Sequence, residues 1–184
     1  LKELNIEVHA YGALPDYLAT LENIYGDNSQ VPASVSSQVL LTFQLSPIPM
    51  LKALKNETEI DNIKSAMLKD GKALGEFYSW LKKQESPTEF ECAQMLNVCR
   101  SNQGDHIGPS FGSIVGSRGN GAIIHYEPTE KGCSKIEPGM LLIDSGGQYL
   151  QGTTDITRTT CIGEATEEQK RHYTLVLKGV IGLS

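Results

Sequence analysis

Gly139-Met-Leu-Leu-Ile-Asp-Ser-Gly-Gly-Gln-Tyr-Leu-Gln-Gly-Thr-Thr-Asp-Ile-Thr-Arg-Thr159 is the stretch on which the reading of this chain turns. It carries two aspartates, Asp144 and Asp155, each where an apolar run meets small residues. A carboxylate that closes the run Met140 to Ile143 is costly to desolvate unless something positive meets it. Gly146 and Gly147 are expected to reverse the chain, so that a second strand returns Asp155 toward Asp144. Two carboxylates in one site repel unless a proton or a metal lies between them. No Lys or Arg stands between them in sequence, and Arg158 has Asp155 only three positions away. A divalent metal is the leading reading of the pair. Taken alone, Asp144 before Ser-Gly-Gly would serve equally well as a turn residue.

Around that stretch, composition excludes several classes of function. The chain has 184 residues, enough for one domain or for one domain and part of another, and 39% of them are hydrophobic, enough for a core. A formal net charge of −6 with no Lys/Arg block argues against a nucleic-acid surface. No apolar run is long enough to cross a bilayer, and the opening Leu1-Lys-Glu-Leu-Asn-Ile is not a signal peptide. Cys92, Cys99, Cys133 and Cys161 form no CxxC pair and read as reduced thiols of a cytoplasmic protein. The chain starts without Met and stops within a helical pattern, so it reads as cut at both ends.

Periodicity organises the rest as an α+β chain. Ile6 to Tyr11 predicts a strand and Pro15 to Leu21 a helix. Gly26 to Ser37 predicts a loop, and Val39 to Leu45 a short strand. Ser46-Pro-Ile-Pro49 is expected to break regular structure and to mark a domain boundary, giving domains 1–46 and 47–184. Asn56-Glu-Thr-Glu59, Thr88-Glu-Phe-Glu91 and Thr166-Glu-Glu-Gln169 have the form of capping boxes. They predict a long helix to about Lys83 with Ile60, Ile63, Met67, Leu74, Phe77 and Leu81 on one side, a second helix to about Arg100, and a third that still runs at Ser184. Between the second and third helices, Phe111–Val115, Ala122–Tyr126, Met140–Asp144 and Ile156–Ile162 predict antiparallel strands. His125 then falls at a strand end, as Asp144 does, and a sheet would present such residues along one rim.

At these residues the chain resembles the Xaa-Pro aminopeptidases, the aminopeptidase P group of the pita-bread metallopeptidases. The resemblance spans roughly Ser46 to Leu183. It rests on Ser46-Pro-Ile with Leu51-Lys-Ala-Leu-Lys-Asn-Glu-Thr-Glu-Ile60, Ile114-Val-Gly-Ser117, Asn120-Gly-Ala-Ile-Ile-His-Tyr126, Leu142-Ile-Asp-Ser-Gly-Gly-Gln-Tyr149, Gly152-Thr-Thr-Asp-Ile-Thr-Arg-Thr159 and Tyr173-Thr-Leu-Val-Leu-Lys-Gly179. It implies that residues 47–184 are the N-terminal half of a pita-bread domain, preceded by the tail of a creatinase-like domain.

It also implies a two-metal site in which Asp144 chelates one ion and Asp155 bridges both. His125 would be catalytic, facing the substrate without binding metal. Water activated by the two ions would attack the carbonyl before a proline. Hard oxygen ligands favour manganese, with cobalt, magnesium or zinc behind it. The implied partners are a peptide with an Xaa-Pro N-terminus and a second copy of the chain in a homodimer, with neither nucleic acid nor membrane.

The resemblance is incomplete in several places. One histidine and two glutamates of the family's ligand set have no match in this chain, residues 22–45 fit a creatinase-like domain poorly, and Met67 and Val180 stand where many relatives have histidine. His9, His106 and His172 have no motif around them and read as ordinary residues. Arg158 reads as a brace for the turn or for a neighbouring carboxylate, and Cys161 as a small strand residue. Prolidase is the nearest rival activity. A non-catalytic pita-bread binding module is the alternative of a different class, which the retained Asp144, Asp155 and His125 disfavour.

Overall fold

Each of the three predicted capping boxes opens a helix in the computed structural model, which describes residues 10–27 and 30–184. In each, the N-cap side chain accepts from the backbone N–H three residues on, and the residue there reaches back to the N-cap N–H. Free donors of the first turn are satisfied in this way, which fixes where the helices start.

Two compact units divide the chain at Lys55/Asn56. In the first, a 3-10 turn at Tyr11–Ala13 leads into α1 (Leu14–Leu18). The strand expected over Ile6–Tyr11 falls almost wholly outside the described residues. The expected loop over 26–37 instead contains a helical turn, α2 (Ala33–Ser36). It also contributes Gly26 to β1 (Tyr25–Gly26), which pairs in parallel with β2 (Thr42–Phe43). Pro47 and Pro49, expected to break regular structure, instead open α3 (Ile48–Ala53). First-turn N–H groups have no intrahelical partner, so prolines there lose nothing.

The second unit packs two helices against antiparallel strands. Its elements are α4 (Glu57–Leu81), α5 (Glu89–Ser101), β3 (His106–Pro109), β4 (Ile114–Ser117), β5 (Gly139–Ser145), β6 (Gly147–Tyr149), β7 (Gly152–Thr153), β8 (Ile156–Ile162) and α6 (Glu167–Leu183). The strands form two three-stranded sheets, β4-β5-β8 and β3-β6-β7. Phe77, Leu81, Cys92, Leu96, Val115, Leu141 and Ile143 make the core between helices and sheet. A fully buried side chain of the Phe, Leu or Ile type contributes about 1.5–3 kcal/mol.

Two expectations fail here. The buried stripe of α4 is Ala66, Asp70, Ala73, Phe77 and Leu81, while Ile60, Ile63 and Met67 are each at least 40% exposed. Small residues face inward where α4 meets the β6–β7 turn: a Cβ on Gly152 would lie 3.6 Å from Ala66 Cβ. The strand predicted over Ala122–Tyr126 is absent. A 3-10 helix, Arg118–Ala122, follows β4 directly, and His125 stands in a turn with φ of 56°.

Candidate metal centre

Asp144 is paired across the sheet with Thr157 and Ser145 with Ile156; the next pairing, after an interruption, is Gln148 with Thr153 and Tyr149 with Gly152. The register is the same on both sides of the break. β5 to β8 is therefore one long hairpin, closed by the two-residue loop Leu150-Gln151. The reversal is there, and not at Gly146-Gly147 as the sequence suggested.

The two glycines serve close packing instead. A Cβ on Gly146 would lie 1.9 Å from Thr154 O and 2.3 Å from Ser110 Oγ, and one on Gly147 would lie 2.8 Å from the Tyr149 ring. Ser110 Oγ donates to Thr154 O at 2.8 Å, and Gly147 N donates to Thr154 Oγ1 at 2.9 Å.

Directly opposed residues of an antiparallel pair share a face, and residues two apart along a strand share it too. Asp144 lies opposite Thr157, and Asp155, just before β8, is two residues before Thr157, so the parity of the hairpin favours one face for both aspartates. A separation of eleven residues would oppose them along a single strand; across a hairpin with a two-residue loop it aligns them. The other face carries Leu141 and Ile143 into the core. Arg158 pairs with Ile143 on that other face and donates to Thr157 O at 2.7 Å, so it braces its own strand instead of neutralising the aspartates.

Asp144 is half-buried, and its Oδ1 is buried with no hydrogen-bond partner; Asp155 is exposed. A buried carboxylate oxygen without a donor is costly, and a cation is one of the few things that satisfies it. The oxygen donors of this pair fit a hard divalent ion. Among the described residues, no three His, Cys, Asp or Glu side chains gather to hold a metal.

His125 is exposed. The segment leading to it folds over the aspartate face, since a Cβ on Gly116 would meet Gly121 Cα at 2.7 Å and one on Gly121 would meet Leu142 Cβ at 3.4 Å. Gly116 and Leu142 are paired and share the face of Asp144.

Two buried polar clusters escaped the sequence reading. In one, Arg100 Nε donates to Asp70 Oδ1 at 2.7 Å and Nη2 to Ser145 Oγ at 3.0 Å, while Tyr149 OH donates to Asp70 Oδ1 at 3.0 Å. Burial, and then the Asp70 charge, push the Tyr149 phenol above its ordinary pKa. This cluster ties α4 and α5 to the hairpin beside Asp144. Its one signal in sequence is a charge, Asp70, on the stripe of Ala66, Ala73 and Phe77. In the other cluster, fully buried Glu89 accepts from Ser117 N, Asn120 Nδ2, Tyr126 OH and Ser134 N. Glu89 opens a helix, where acids are common for their effect on the dipole, so nothing local marks it.

The model of metallopeptidase family M24 matches residues 61–182. The chain belongs to that family. Over 144 residues it is 45% identical to the probable Xaa-Pro aminopeptidase P of Sordaria macrospora, covering 75% of this chain and 24% of that protein. With Xaa-Pro aminopeptidase 1 of Dictyostelium discoideum it shares 43% identity over 77% of this chain and 24% of the relative. It superimposes on the crystal structure of X-prolyl aminopeptidase from Caenorhabditis elegans, described as a cytosolic enzyme with a di-nuclear active site. That match has a TM-score of 0.86 at 30% identity and covers 97% of this chain and 32% of the other. The prolidase of Pyrococcus furiosus shares the fold, with a TM-score of 0.76 at 23% identity over 94% of this chain and 51% of that one. This M24 chain thus has the α+β pita-bread fold and spans about a quarter of the length of the curated relatives it matches.

Proposed function

We propose that this chain carries part of the catalytic domain of a metal-dependent Xaa-Pro aminopeptidase, a cytosolic enzyme that removes the residue before a second-position proline. One observation carries the reading: Asp144 has an unpartnered buried oxygen, and the register of the hairpin favours Asp155 on the same face. Asp144 would hold one ion and Asp155 would bridge two. Manganese suits these oxygen donors best. A bound pair of divalent ions would supply a nucleophile from water at neutral pH and a clamp for developing charge.

The protein's own side chains do the rest. Asp144 and Asp155 would hold the ions against the sheet, and Arg158, paired with Ile143, leaves their charge unneutralised. His125, carried over that face, would orient the substrate carbonyl through its imidazole. Residues 47–184 read as the N-terminal half of the pita-bread domain and residues 1–46 as the tail of a creatinase-like domain, in a homodimer. The 45% identity with an aminopeptidase P favours that activity over prolidase.

The test is manganese-dependent release of the first residue from an Arg-Pro-Pro peptide by the intact protein. Asp155→Ala is expected to abolish it. An inactive wild-type protein that binds manganese would favour the binding-module reading, and full activity in Asp155→Ala would overturn the site.

A further inference from the structure

Glu89 is 0% exposed, and no ion pair meets it among the described residues. A carboxylate buried without a counter-charge needs several donors, and Glu89 has them. Ser117 N donates to Oε1 at 2.7 Å; Tyr126 OH and Ser134 N donate to Oε2 at 2.6 and 2.7 Å. Asn120 Nδ2 lies within 3.0 and 3.1 Å of the two oxygens. All four donor residues lie in one segment, at its two ends and on either side of His125.

That segment contains left-handed backbone at Arg118 (φ 53°) and His125 (φ 56°), a conformation that costs a non-glycine residue about 1–2 kcal/mol and persists only where the surroundings impose it. Glu89 itself is fixed. Thr88 caps its helix, and Glu89 N donates to Ser134 O at 2.9 Å.

We propose that the Glu89 carboxylate is a positioning residue for His125, holding Ser117–Ser134 in the shape that presents the imidazole to substrate. The proposal rests on the substrate-facing role given to His125 above. Because every partner donates, Glu89→Gln places an amide N–H against another donor wherever it turns.

The experiment uses intact, manganese-loaded protein and reads two quantities: steady-state cleavage of Arg-Pro-Pro and backbone hydrogen exchange over residues 117–134. Glu89→Gln is expected to speed exchange in that segment and to lower kcat roughly 10- to 100-fold, the cost of a misplaced catalytic group, with little change in KM. Tyr126→Phe should move both readouts the same way by less, and serves if Glu89→Gln fails to fold. In a His125→Ala background, Glu89→Gln should cause no further loss of kcat. An equal loss in that background would make Glu89 merely structural, and unchanged exchange over 117–134 would deny the clamp; either overturns the proposal. Full activity in His125→Ala would remove the role of His125, and an inactive wild type the aminopeptidase reading. Each would take this proposal with it by a result that does not involve Glu89.

Discussion

The hairpin Gly139–Ile162 and the segment Arg118–Ser134 both serve the same face of the sheet, and they are held in opposite ways. The hairpin is fixed by its own backbone ladder, so the position of Asp144 relative to Asp155 follows from register and a two-residue loop. In the segment only isolated turns and one bridge join the backbone to itself, Thr129 with Gly132, and side-chain bonds to Glu89 do the work of a ladder. A ladder spreads its support over many weak bonds. A clamp concentrates it in one carboxylate, so a single substitution should release the segment, whereas the hairpin should yield only where its own supports are struck.

The strongest such blow is Arg100→Ala. It leaves Asp70 buried without its cation and withdraws the donor from Ser145, and losing one partner of a buried pair costs about 3–5 kcal/mol. Urea unfolding with an unchanged m-value would measure it. A loss under about 1 kcal/mol would show that the hairpin does not depend on the ion pair.

Gly146→Ala comes next. The new methyl would meet Thr154 O, a backbone atom that cannot swing aside, and overpacking of this kind costs about 1–3 kcal/mol. Activity should fall with it, because the clash sits between Asp144 and Asp155. A variant as stable and active as wild type would show that the strands do not approach this closely.

The smallest effect is chemical. Burial pushes the Cys92 thiol of α5 up to about 12, so it is neutral at pH 7–8, and it is fully enclosed as well. Iodoacetamide should label half-exposed Cys133, in the clamped segment, and spare Cys92 in the native protein. Labelling of both at similar rates would mean that the helix bearing Glu89 is not the fixed side of the clamp.

The sequence showed the long strands of the hairpin and not the segment for the same reason. The apolar run Met140–Ile143 is local, and so are the capping boxes, which placed the starts of α4, α5 and α6. His125 was read as a strand end because Ala-Ile-Ile is an apolar, β-branched run. In the fold Ile123 and Ile124 are 54% and 86% exposed, and contacts distant in sequence decide the backbone: Gly121 on Gly116, and Tyr126 on Glu89. The stripe of α4 shifted similarly: where the helix meets Gly152, Ala66 is buried, while Ile63, which also lies beside Gly152, and Met67 stay over 40% exposed. The reversal between Asp144 and Asp155 was expected, but its place was not legible, because the loop of two residues, Leu150-Gln151, carries no turn signal.

Manganese titration of the intact protein tests the account most directly, since it reads the aspartate pair without the substrate. The wild type should bind a two-ion site of the kind that clamps attacking and leaving groups. Asp144→Asn should weaken one ion more than the other, and Asp155→Ala should lose both. Wild-type manganese stoichiometry and affinity in Asp155→Ala would contradict the shared site on which the account rests.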